Sequence, residues 1–118
     1  MQEVLKKNIA YESLCFDFGK ETIDEILELM LEVVTSQEKR IKIGKNHIES
    51  DTAKSRFLSL NQFHIIYVIN SLKNNPTKIT NIRQYLLTSL YNASTTIHHF
   101  YQAEVNFDQM NDNTEVAQ

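Results

Sequence analysis

Residues 22–34, TIDEILELMLEVV, decide the fold. Ile23, Ile26, Leu27, Met30, Val33 and Val34 recur at the 3.6-residue spacing of one helix face. Thr22 and Glu25 form a T-x-x-E capping box, in which the hydroxyl and the carboxylate each take an orphan N–H. Glu21, Asp24, Glu25 and Glu28 crowd the first turns, where the helix dipole favours anions. The spacing predicts a helix with an apolar inner face and an acidic, solvated outer one.

The same period recurs on both sides. Residues 3–16 predict a short helix with Leu5, Ile9 and Leu14 inward, broken by FDFG at 16–19. Asn61 is expected to cap a helix burying Phe63, Ile66, Val68, Ile69 and Leu72, ended by Asn74-Asn75-Pro76. Residues 78–106, KITNIRQYLLTSLYNASTTIHHFYQAEVN, read as two more amphipathic helices. Thr80 caps the first, which buries Ile82, Leu86, Leu87 and Leu90. Asn92-Ala93-Ser94 breaks the chain before the second, which carries Ile97, Phe100, Tyr101, Val105 and Phe107.

One stretch changes period. In residues 40–49, RIKIGKNHIE, Ile41 and Ile43 alternate with Arg40 and Lys42, a strand pattern, and Gly44-Lys45-Asn46 supplies a turn. This predicts a short, exposed β-hairpin. Ser50 is then expected to cap a brief helix over 51–58 with Ala53, Phe57 and Leu58 inward and Lys54 and Arg56 pointing away. The expected fold is therefore mostly α: a compact bundle of about five to six helices with a hairpin near 40–49. Two glycines and one proline in 118 residues are too few for the tight turns of an all-β sandwich. Residues 1–110 are expected to form a single domain, and 111–118, NDNTEVAQ, a flexible polar tail.

Charge is segregated along the chain. Residues 1–38 balance at −6, residues 39–83 at +7, and residues 84–118 at −4. Clustered cations suit phosphates or an acidic partner. The alternative is internal, with acidic and basic helices lying side by side. The candidate partner-binding or nucleic-acid-binding residues are Arg40, Lys42, Lys45, Lys54, Arg56, Lys73, Lys78 and Arg83. Tyr67, Tyr85 and Tyr91 are candidates for base stacking, or for the rim of the core.

Catalytic and metal chemistry find no constellation. His98 and His99 are adjacent and diverge by about 100° on a helix, and His47 and His64 lie in different elements. Cys15 has no C-x-x-C partner, and a lone cysteine fits a reducing compartment. Gly19 and Gly44 stand alone, without a phosphate loop, and no G-x-S-x-G elbow is present. No enzyme activity, metal or cofactor is expected. No apolar run approaches the roughly 18–20 residues of a membrane span, and MQEVLKKNIAYESL lacks a signal-peptide h-region. A cytoplasmic protein without a membrane partner is expected.

Five blocks carry a resemblance: KKNIAYESL (6–14), IDEILELMLEVV (23–34), RIKIG (40–44), KSRFLSL (54–60) and NIRQYLLTSLYNASTTIHHFYQAEVNFD (81–108). In this order the chain resembles the C-terminal domain of the plasmid replication initiator A family of low-GC Gram-positive bacteria. Residues 82–91 also look like the final helix of DnaD-like replication-restart domains. Ser94 stands where that initiator family often has proline. Nothing here resembles the initiators' N-terminal winged helix, so origin recognition is not implied. The resemblance implies a non-catalytic plasmid DNA replication module that contacts host replication machinery: primase, helicase or helicase loader. The alternative is a sequence-independent DNA-binding module using residues 39–83. A third expectation is a homo-oligomer, with Leu29, Leu31 and Phe107 off the core face.

Overall fold

The computed structural model describes residues 1–74 and 81–93. Among them the chain is mostly helical, with one two-stranded antiparallel hairpin. The elements are α1 (Gln2–Ile9), α2 (Tyr11–Phe18), α3 (Lys20–Val34), β1 (Arg40–Ile43), β2 (Asn46–Glu49), α4 (Ser50–Leu58), α5 (Gln62–Asn74) and α6 (residues 82–93). This is the helical bundle with a hairpin that the periodicities predict.

The central helix is α3, which packs against α1, α2 and α4. Ile23, Ile26, Leu27, Leu29, Met30, Val33 and Val34 are all buried, while Glu21, Glu25, Glu28 and Glu32 face solvent. Burying a side chain of this size stabilises by about 1.5–3 kcal/mol, so this one face supplies much of the core. Leu29 therefore belongs to the core and Leu31 is half-buried, contrary to their expected place off it. Phe107 lies outside the described residues.

Several boundaries differ from expectation. The N-terminal helix breaks at Ala10, not at FDFG: Ala10 adopts φ 54 and ψ 58, the left-handed region. The helix resumes and runs through FDF to Phe18, and Leu5, Ile9 and Leu14 are buried as expected. Gly19, at φ 93, then turns the chain directly into α3. Because the Ile23 N–H already donates to the Gly19 carbonyl (3.3 Å), the helix starts before Thr22 and no side chain caps it. The Tyr11 hydroxyl of α2 donates to Asp24 of α3, tying the two helices, and within α3 the Lys20 ammonium donates to the same carboxylate at 2.8 Å. The Lys20 hydrogen bond, then that of Tyr11, holds the Asp24 carboxyl below its usual range. The same carboxylate raises both Lys20 and Tyr11.

The Asn61 cap is present. Its Oδ1 accepts from the Phe63 N–H (2.9 Å) and the His64 N–H (3.3 Å). His64 Nδ1 accepts the Asn61 N–H in return at 2.9 Å, a capping box with imidazole in the place of the usual glutamate. Ile65, Val68 and Ile69 form the buried face of α5, and Phe63 turns outward with 51% of its surface exposed. In α6, Asn81 is the cap, accepting the Gln84 N–H at 3.1 Å. Leu86, Leu87, Leu90 and Ala93 are buried, whereas Ile82 is 53% exposed. Helix continues through Asn92 and Ala93. The expected features at Asn75, Pro76, Thr80 and Ser94, the final helix and the polar tail lie outside the described residues.

Candidate functional site

The hairpin presents one polar face and one apolar face because alternate residues of a strand point to opposite sides. Its register pairs Arg40 with Glu49, Ile41 with Ile48, Lys42 with His47, and Ile43 with Asn46. Ile43 is buried, and Ile41 and Ile48 pack half-buried against the core. The hairpin is thus exposed on one side, as expected, while its other side forms a wall of the core. Arg40, Lys42, His47 and Glu49 are exposed on the outer side.

Two attachments hold it. At its base the Ser50 N–H donates to the Lys39 carbonyl (3.0 Å), and the Ser50 hydroxyl donates to the Glu38 carbonyl. Ser50 is buried by this contact and does not cap α4, its expected role. At its tip Gly44, at φ +65, makes the two-residue turn with Lys45 in the manner of a II′ turn, which places glycine first. The Gly44 N–H donates to Gln84 Oε1 of α6 at 3.2 Å. A Cβ on Gly44 would stand 3.2 Å from Thr88 Oγ1, so the turn also needs glycine for closeness.

The expected cations separate into two groups. Arg40, Lys42 and Lys45 lie on the hairpin, and Lys39 precedes it; all four are exposed, and none makes an ion pair with a described residue. Lys54 of α4 joins Lys39 and Arg40 in lining an open depression of about 480 Å³, opposed there by Glu38, Glu49 and Asp51.

The others are committed elsewhere. Arg56, expected to point away, is half-buried: its guanidinium lies 4.5 Å from the Tyr91 ring centroid and donates to the Tyr91 carbonyl at 3.3 Å. The Lys73 ammonium stands 5.3 Å from the Phe18 ring centroid. Arg83 Nη2 pairs with Glu32 of α3 at 2.6 Å, the side-by-side arrangement of acidic and basic helices. Lys78 lies outside the described residues. Tyr91 is covered by Arg56, Tyr85 is half-buried, and Tyr67 is 38% exposed on α5.

Surface cations on a seated hairpin can neutralise phosphates or carboxylates of a macromolecule. Among the described residues no three His, Cys, Asp or Glu side chains are grouped to hold a metal ion. No helix among them is long and apolar enough to cross a membrane.

The chain belongs to DUF6017, a family of unknown function. The family profile matches residues 1–112. No curated protein and no solved structure matches the chain. Within this DUF6017 chain, sequence reasoning missed Lys39 and His47 on the cationic face. Both were within reach of it, since they adjoin or alternate with the strand residues already singled out. Gln84 and Thr88, which seat the turn, gave no local signal at all.

Proposed function

We propose that this chain is the partner-binding module of a plasmid replication initiator, acting in the cytoplasm without catalysis of its own. It engages the host replication machinery through the outer face of the hairpin. One observation carries this: Lys39, Arg40, Lys42 and Lys45 stand exposed and without ion pairs to described residues, on a hairpin anchored at base and tip. Such a face meets an acidic surface without first rearranging, which lowers the cost of binding. The resemblance of five ordered blocks to the initiator A C-terminal domain supports the replication role and points to primase, helicase or helicase loader as the partner.

The test is capture of these three proteins from the cognate host at low salt, with wild type and with the variant in which all four cations are serine. Wild type is expected to retain one of them and the variant to lose it. Retention of none by wild type overturns the reading.

The same four free cations favour a second reading, sequence-independent DNA binding. Four neutralised phosphates give a slope of log K against log salt of about −3.6, or roughly a hundredfold loss of affinity from 50 to 200 mM. DNA binding with that slope, abolished in the four-serine variant, would select this reading over the protein contact.

A further inference from the structure

A second surface lies between α3 and α6, apart from the hairpin cations. Leu29 and Leu86 form its floor, and the half-exposed Ile82 its wall, in a groove of about 270 Å³. Glu25, Glu28 and Glu32 line the α3 side. From Glu25 to Glu32 is two helical turns, about 10 Å of axis.

Like charges at i and i+4, such as Glu28 and Glu32, repel and weaken a helix. Among the described residues only Glu32 of the three is offset, by Arg83. Glu25 and Glu28 make no ion pair with a described residue. Arg83 demonstrates the chemistry that this rim accepts: a guanidinium beside an apolar wall. Carboxylates repel phosphate, so the groove selects against nucleic acid.

We propose that this groove docks a cationic amphipathic helix of a partner protein. Lys or Arg at i, i+4 and i+7 of that helix would meet the three carboxylates, and an adjoining apolar stripe would cover Ile82. A helix laid in a groove is read through anchors at this spacing. No hairpin residue lines this groove, so separate variants test the two contacts.

The probe is a fluorescent helical peptide with Lys at i, i+4 and i+7 beside a Leu stripe. Its control carries Glu at the same three positions. Fluorescence anisotropy is expected to show binding of the cationic peptide only. Glu25→Gln/Glu28→Gln is expected to weaken it about tenfold, as the loss of two exposed ion pairs allows. Ile82→Asn should weaken it as well, and the four-serine hairpin variant should leave it unchanged. Equal binding of both peptides, or binding indifferent to the groove variants, overturns the proposal. So does a concentration-dependent dimer that Glu25→Gln/Glu28→Gln dissociates, since a second copy would then be the occupant. Duplex DNA that displaces the peptide from wild type and from the hairpin variant alike would also overturn it.

Discussion

Gly44→Ala is expected to unseat the hairpin tip, and its cost can be worked from two features of the structure. At φ +65 an L-residue with a Cβ costs about 1–2 kcal/mol relative to glycine. The smaller entropy of the unfolded alanine chain returns about 0.4–1 kcal/mol of that. The new Cβ then stands 3.2 Å from Thr88 Oγ1, closer than ordinary contact. Turning the threonine off its rotamer to make room costs about 0.5–1.5 kcal/mol. The net loss is about 0.5–3 kcal/mol. For a domain of this size each kcal/mol moves Tm by about 4 °C, so Tm should fall by about 2–12 °C. Urea denaturation and thermal circular dichroism of Gly44→Ala, Thr88→Ala and the double variant measure this. The double variant should recover the steric part and retain the backbone part. Stability of Gly44→Ala within about 0.3 kcal/mol of wild type, or no coupling between the two sites, would refute the argument that this turn is seated on α6.

Three further outcomes are expected. Burial lowers the His64 pKa, so the unfolded chain holds the proton more tightly than the folded one. The stability this histidine confers is present in full above pH about 6.5 and is lost as pH falls through its folded value; His64→Gln should flatten denaturation midpoints measured from pH 7.5 down to 5. Ala10→Gly removes left-handed strain of about 1–2 kcal/mol at the cost of added unfolded-state entropy, and should raise stability by up to about 1 kcal/mol in urea. Phe57→Ala empties a fully buried site and should cost about 3–5 kcal/mol, enough to leave much of the chain unfolded by circular dichroism at 37 °C.

The two candidate surfaces have opposite charge and different chemistry. The hairpin face is wholly polar outside, and its apolar side is used up in the core. The α3–α6 groove combines carboxylates with an uncovered isoleucine. The hairpin's attachment to α6 through Gly44 and Gln84 also ties both surfaces to one helix.

Among the described residues the sequence by itself determined most of the helices, the hairpin and most of the inward residues, though it read α1 and α2 as one helix. Each rests on a local repeat: period 3.6 in α3, α5 and α6, period 2 in Arg40–Ile43. Hydrophobic burial enforces such repeats, so Leu5, Ile9, Leu14 and the α3 stripe were legible. It also determined the segregation of charge. Only the tertiary structure decided which cations are free. Arg83 and Lys42 look alike in sequence, yet Arg83 is claimed by Glu32 while Lys42 faces water. Arg56 reaches Tyr91 thirty-five positions away, and Gly44 reaches Gln84 across forty. Contacts between distant segments leave no periodic trace, because packing geometry creates them after the local elements have formed.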